Sequence, residues 1–351
     1  MQDLLQKLQI AAGPTDDQSA WPAAQFGLLA EAGVLRWVIP TEYGGLAYSE
    51  RDLLQGYIEL SSACLTTTFV LTQRNGACQR LANSTNTELK AELLPALAQG
   101  QLFATVGISH LTTSRQHWRQ PAVQVTETDS GWCFDGEIPW VTGAEYADYL
   151  VTGGTLSDGR QVLAAIPRRE AGVTVAPAAR LLSLSASATS PVRLDNVILD
   201  RKFLVAGPVE QVMRLGAGST GALATSALAT GLARAALDHL QTEAAQRGDL
   251  LPIYQPLQQE WTTLRDDLLL ATDRERVAGN LGLSTEAIRG RANSLVLRAT
   301  QALLAASKGA GFVCGHFAER AVREALFFLV WSCPQPVVAA ALRELAGLAT
   351  C

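Results

Sequence analysis

The sequence predicts an α+β protein ordered as helices, then a sheet, then helices, and three observations carry that expectation. The hydrophobic period changes twice along the 351 residues. It is helical to about residue 102, strand-like over 103–207, and helical again over 208–351. Strands and helices do not alternate, and no GxGxxG follows a strand pattern, which argues against a doubly wound dinucleotide fold. In the middle block, Gly, Asp and Ser punctuate short β-rich runs at the spacing of an all-β barrel or sandwich.

Each element follows from its residues. Trp21, Phe26, Leu29 and Ala32 form a helical stripe that Gly33 can end. Pro40 to Gly45 reads as a turn. Ser49, followed by Glu50 and Asp52, is an N-cap candidate for the next helix. A short helix is expected from Glu88 to Leu94, stopped or kinked by Pro95. Val123-Gln124-Val125-Thr126 alternates as a half-buried strand. Further strands are marked by Trp132 and Phe134, Tyr149 and Val151, Val162, Val173 and Val175, and Val192 to Ile198. In the last block, the Ala- and Gly-rich run from Gly216 to Gln246 permits close helix packing. Trp261, Leu264 and Leu268 share one helix face, and Ser284 can cap a helix running towards Lys308. The apolar run Ala325 to Val330 reads as core. Gly216-Ala217-Gly218-Ser219 reads as an approach to a helix, with an anion site at its N-terminus as the alternative.

Composition narrows the function classes. Net charge is −5, with no basic cluster, so no nucleic-acid surface is expected. Charged residues make up only 17% against 48% hydrophobic, which fits burial against partner subunits. No apolar run reaches the ~20 residues that span a bilayer. The start Met1-Gln2-Asp3-Leu4 lacks the pattern of a secretory signal. Six scattered cysteines, with no CxxC, read as reduced and packed in a cytoplasmic protein, without a metal site.

The chemistry-bearing text is Gly131-Trp132-Cys133-Phe134-Asp135-Gly136 followed by Ile138-Pro139-Trp140-Val141-Thr142-Gly143-Ala144. Alone, Trp-Val-Thr is an ordinary strand triplet. With its surroundings it resembles the flavin-contacting β-region of the acyl-CoA dehydrogenase family. "AEAGVLRWVIPTEYGGLAYSERDLLQGYIELSSAC", "LLPALAQGQLFATVGIS" and "SPVRLDNVILD" are similar to further family segments in the same order. The resemblance covers roughly Trp21 to Ala340. It implies an N-terminal helical domain (1–102), a middle β-barrel (103–207) and a C-terminal helical bundle (208–351). It also implies FAD, with Trp140 on one ring face and Thr142 near flavin N5. Ser109 keeps the hydroxyl of the family's loop Thr, and Ser114 stands for its phosphate-contacting Ser. Arg247 matches the Arg that reaches the partner's pyrophosphate across a dimer interface. Gln258, Gly309 and Gly311 match further cofactor positions.

The departures concern catalysis. In most members a Glu after an aromatic residue removes the substrate α-proton. Here Trp331 takes the aromatic position and Ser332 the Glu. The alternative family position reads Ser219-Thr220-Gly221-Ala222, again without a carboxylate. His110, beside Ser109, is the best remaining acid–base candidate; His239 and His316 read as structural. The resemblance therefore implies an FAD-dependent oxidoreductase on a small molecule, with an acyl thioester such as acyl-CoA as the family substrate. Two alternatives stay open: a flavin-dependent monooxygenase of the same fold, and a non-catalytic scaffold. An electron-transfer or flavin-reductase partner and a homodimer or homotetramer are further expectations.

Overall fold

The computed structural model describes residues 1–112, 120–215, 220–331 and 335–348. The first part is helical: α1 (Gln2–Gln18), α2 (Ala23–Glu31), α3 (Glu50–Ala63), α4 (Leu65–Ala82) and α5 (Thr87–Ala98). Gly33, just past α2, takes a left-handed φ of 73°, the conformation that ends helices. Ser49 caps α3, its hydroxyl accepting from the Asp52 amide at 3.1 Å. Pro95 does not stop α5, which runs one turn beyond it. The carbonyl left without a proline N–H belongs to exposed Ala91, where water can serve it, while Leu94 and Leu97 are buried in the core.

The middle part opens with β1 (Ala104–Gly107) and the single-turn helix α6 (Ser109–Thr112). It continues with β2 (Val123–Glu127), β3 (Gly131–Val141), β4 (Tyr149–Thr155), β5 (Gln161–Pro167), β6 (Val173–Val175), β7 (Ser190–Asp200) and β8 (Leu204–Val209). These make one eight-stranded sheet in the order β6-β7-β3-β2-β4-β5-β8, with β1 parallel beside β4. Val125, Phe134, Leu150, Ala164 and Val192 come from five strands yet share one core. The sheet therefore curls round its own apolar face. The expected strands are all present, and the alternation over 123–126 is seen as alternate burial along β2.

The last part is helical again: α7 (Thr220–Gln246), α8 (Leu251–Leu270), α9 (Arg274–Val277), α10 (Thr285–Ser307), α11 (Phe317–Leu326) and α12 (Gln335–Leu345). Ser284 caps α10 by accepting from Ala287 at 3.2 Å. Trp261, Leu264 and Leu268 are buried together, as their spacing requires. Small residues let α7 press against α3: a Cβ on Gly231 would stand 2.4 Å from the Ile58 carbonyl oxygen. Ser61 Oγ donates to the Leu228 carbonyl at 2.8 Å across the same seam. The largest core joins both helical parts, running from Leu8, Leu54 and Leu71 to Leu237, Leu295 and Phe328. A second core, with Leu93, Val106 and Leu163, joins α4 and α5 to the sheet. Among the described residues, no helix is long and apolar enough to cross a membrane. Gly216 to Ser219 lie outside the described residues.

Candidate functional site

A cavity of about 1060 Å³ lies where the sheet meets both helical parts. The sheet supplies Val106 from β1, Trp140 from β3 and Thr142 just after it, with Ile108, Ser109 and Thr112 following β1. The opposite wall is helical. Phe69, Thr72, Gln73, Gly76 and Arg80 recur at helical spacing along α4, and Leu326, Phe327, Leu329, Val330 and Trp331 follow from the end of α11. The segment 181–189 closes one side with Leu181, Leu182, Ser183 and Thr189.

Trp140 and Thr142 are positioned by the bulged pairing of β3 with β7, whose register shifts between Ile138 and Val141. The Trp140 side chain is left 52% exposed on the cavity wall, unusual for an indole. Thr142 is buried. Its carbonyl accepts from Thr105 Oγ1 at 2.8 Å, tying it to β1. Its hydroxyl meets Thr189 Oγ1 at 3.1 Å, and Thr189 meets Ser187 Oγ at 2.8 Å. If Ser187 and Thr189 donate along this chain, the Thr142 proton is free to point outward. Gly143 follows in the left-handed region (φ 66°), with the Trp21 ring where a Cβ would stand. Ser109 lines the same wall, and its Oγ is shielded from water with no hydrogen-bond partner. A buried hydroxyl without a partner is costly, so this one is poised for a ligand.

The sequence-chosen residues separate into two groups. Ser109, Trp140 and Thr142 meet at the cavity, and Trp331, the residue before Ser332, joins them. Trp331 stacks on Phe327 at 4.9 Å and meets Phe69 edge-on at 4.8 Å, which fixes its ring in the wall. Arg247, Gln258, Gly309 and Gly311 are not on this wall. Arg247 donates to the Ala306 carbonyl at 2.6 Å, at the end of α10, three residues before Gly309. Gln258 sits on α8, its side-chain oxygen buried without a hydrogen bond. Ser114 and Ser332 lie outside the described residues.

His110 is turned away. Its ring is buried and its Nε2 meets the Gly153 carbonyl at 2.9 Å, while its neighbours Ser109 and Thr112 face the cavity. His316 caps α11 by accepting from Ala318, and His239 stacks on Phe317 at 4.0 Å. The run expected to be core divides: Ala325 and Phe328 are buried, but Leu326, Phe327, Leu329 and Val330 line the cavity. The chain leaves the helix there and passes along an open space, so Val330 is 77% exposed.

No motif points to Tyr57, Thr189, Arg80 or Arg323, all of which reach the cavity. For Arg80 a signal does exist: Thr72, Gln73 and Arg80 form a polar stripe on a helix otherwise buried. Tyr57 is held by Asn75, which donates to its phenolic oxygen at 2.9 Å, and burial pushes the phenol up, so it stays neutral. Arg323 is neutralised where it stands by Asp16 at 2.6 Å and by Glu319. It also donates to the Leu182 carbonyl, joining α11 to the 181–189 segment. Behind the wall, burial pushes the Glu324 carboxyl up to about 7 despite Arg320 at 3.7 Å. No Asp, Glu or His is found among the described residues that line the cavity.

Residues 5–101 match the family model described as acyl-CoA dehydrogenase, N-terminal domain. The chain is 24% identical over 328 residues to a Bacillus subtilis (strain 168) protein named "Probable acyl-CoA dehydrogenase YngJ", covering 88% of this chain and 86% of the relative. Its fold is similar to butyryl-CoA dehydrogenase from Megasphaera elsdenii, with a TM-score of 0.84, 14% identity, and coverage of 98% of this chain and 97% of that one. It is also similar to dibenzothiophene monooxygenase TdsC from Paenibacillus sp. A11-2, with a TM-score of 0.81, 20% identity and coverage of 98% and 96%. With helices, curled sheet and helices in the same order as these proteins, the chain has the acyl-CoA dehydrogenase-like fold, and its residues 5–101 match that family's N-terminal domain.

Proposed function

We propose that the protein is a flavin-dependent oxidoreductase whose isoalloxazine ring rests against Trp140 and Thr142. The observation that carries this reading is the convergence of an exposed indole, an orientable hydroxyl and the unpaired Ser109 Oγ on one cavity wall. When bound, the flavin supplies the hydride- or electron-accepting chemistry. The protein's part is to hold and shield it. Trp140 offers an apolar face, Thr142 donates towards the ring with its proton direction set by Thr189, and Ser109 gains the partner it lacks. FAD is the cofactor that the sequence resemblance implies. FMN is the alternative, because TdsC, of the same fold, was solved with FMN bound.

Arg247, Gln258, Gly309 and Gly311 belong to a second part of this proposal. The Arg247 bond to Ala306 holds a guanidinium beside the Gly309 to Gly311 turn, away from the chain's own cavity wall. In a homodimer or homotetramer this corner would serve the partner's cofactor phosphates, for which an Arg fork is suited.

Dehydrogenation of an acyl thioester and oxygenation differ in one requirement. The first needs a base placed over the substrate α-carbon. The cavity wall carries no carboxylate or imidazole among the described residues, and the sequence has Ser332 where the base would stand. This favours the monooxygenase reading, with a reductase partner supplying reduced flavin. Ser114 stays as a candidate of the cofactor set and Ser332 of the catalytic set, whereas His110, turned to the Gly153 carbonyl, leaves the catalytic set.

The first test is the visible absorbance spectrum of the purified protein before and after adding FAD or FMN. A perturbed flavin band supports the reading; a protein that takes up neither flavin leaves the scaffold alternative. With flavin bound, anaerobic bleaching by an acyl-CoA would identify a dehydrogenase. Flavin-reductase-dependent oxygen consumption with product formation would identify a monooxygenase.

A further inference from the structure

Three buried or half-buried arginines, two of them on the cavity wall, are treated differently. Arg74 is fully buried on α4, away from the cavity, and donates to the Leu35 and Leu97 carbonyls and to Asn75. Arg323 lines the cavity and is held by two carboxylates, Asp16 and Glu319. Arg80 lines it too, six residues after Arg74 on α4, but among the described residues it has neither a hydrogen bond nor an ion pair. Its Nε is shielded from water and unsatisfied. Burial lowers its affinity for the proton, yet an arginine this basic keeps its charge. Taking a guanidinium out of water without a counter-charge is unfavourable. Such a group persists where a ligand completes it.

We infer that Arg80 is the anion-recognising residue of this cavity, and that the substrate carries a carboxylate or phosphate that it binds. The inference rests on the cavity being the substrate site proposed above. The lining of the cavity as a whole suits an amphiphilic ligand. Val106, Ile108 and Met213 offer apolar surface, Gln79 can add a hydrogen bond, and no lining carboxylate among the described residues competes for the guanidinium. A planar fork of donors suits either oxyanion, and the pairing is bidentate where both oxygens are reached.

The test uses the full chain and the variants Arg80→Gln and Arg80→Lys. Trp140 and Trp331 report binding by their fluorescence as hexanoate, hexyl phosphate and the neutral hexanamide are titrated in. One or both anions should bind the wild type about 10- to 100-fold more tightly than Arg80→Gln, with Arg80→Lys between them. Hexanamide should not distinguish the three proteins. Removing a charge without a partner should leave the melting temperature of Arg80→Gln no lower than that of the wild type, so lost binding cannot be lost folding.

An equal response of wild type and Arg80→Gln to every probe, including no response at all, overturns the inference. A second arm compares FMN with riboflavin. If Arg80→Gln weakens only the phosphorylated flavin, the anion is the cofactor's own and the substrate assignment falls. If neither flavin binds but the anions still discriminate, the anion site stands and the flavin reading fails by itself.

Discussion

Thr142 and Thr189 stand hydroxyl to hydroxyl at 3.1 Å, joining the end of β3 to the start of β7 at the cavity wall. With Ser187 behind Thr189 at 2.8 Å, donation from Ser187 to Thr189 and from Thr189 to Thr142 would leave the Thr142 proton for the space where the flavin is proposed to lie. Thr142→Val removes that donor and leaves Thr189 short of a partner. Flavin affinity should fall about fivefold, the worth of one hydrogen bond. Trp140→Ala should cost about tenfold through lost ring contact. Because Trp140 is half exposed, its removal should change the melting temperature little. Titrating FAD and FMN against each variant checks both values, and unchanged affinity in both would remove these residues from the proposed ring site.

Gly231→Ala tests the seam between α3 and α7. Alanine favours helix, so propensity alone predicts a gain of about 1 kcal/mol. The added methyl, however, would meet Ile58 backbone at 2.4 Å and Ser61 Cβ at 2.7 Å. A net loss of about 1–3 kcal/mol is expected from overpacking, read from urea unfolding. A stabilised variant would show that the two helices can separate at no cost.

Arg323→Met leaves Asp16 and Glu319 facing each other with their shared counter-charge gone. Breaking a buried pair costs about 3–5 kcal/mol, and the partial exposure of Arg323 reduces this to about 2–3. The same change frees the Leu182 carbonyl, so the 181–189 segment should become more accessible to hydrogen exchange than α10. Equal stability of variant and wild type would mean that this network holds nothing in place.

Glu324 gives the stability a pH signature. Burial raises its folded pKa from the ordinary 4.5 to about 7. Between those values the folded state binds the proton that the unfolded state has released, so the contribution to stability falls as pH rises through that window. Above about 7 both states are ionised and the full penalty applies. Glu324→Gln should therefore be more stable than wild type at pH 8, by about 1–3 kcal/mol, with the gap largely gone near pH 4.5. Paired melts at the two pH values decide it. A wild type that is the more stable protein at pH 8 would show that the Arg320 attraction wins.

Local chemistry wrote much of the fold directly into the sequence. Gly33 ends α2 because its backbone accepts positive φ, and Ser49 and Ser284 start helices because their hydroxyls accept from amides three residues on. Alternate burial in β2 and the shared face of Trp261, Leu264 and Leu268 follow from the periods of strand and helix. Trp140 and Thr142 stand two residues apart at the end of β3, and this local spacing brings both to one cavity wall. What the tertiary structure decided is everything that depends on residues far apart in the chain. His110 and Ser109 are neighbours, yet one turns to Gly153 and the other to the cavity. Pro95 is carried inside a helix because Leu97 and Ala98, buried beyond it, hold the last turn. Arg323 meets Asp16 across three hundred residues of sequence and is neutralised, while Arg80 meets no carboxylate among the described residues and keeps an open charge. Period and capping are local and can be read from spacing, but burial of a charge, and what answers it, is fixed only when distant elements pack.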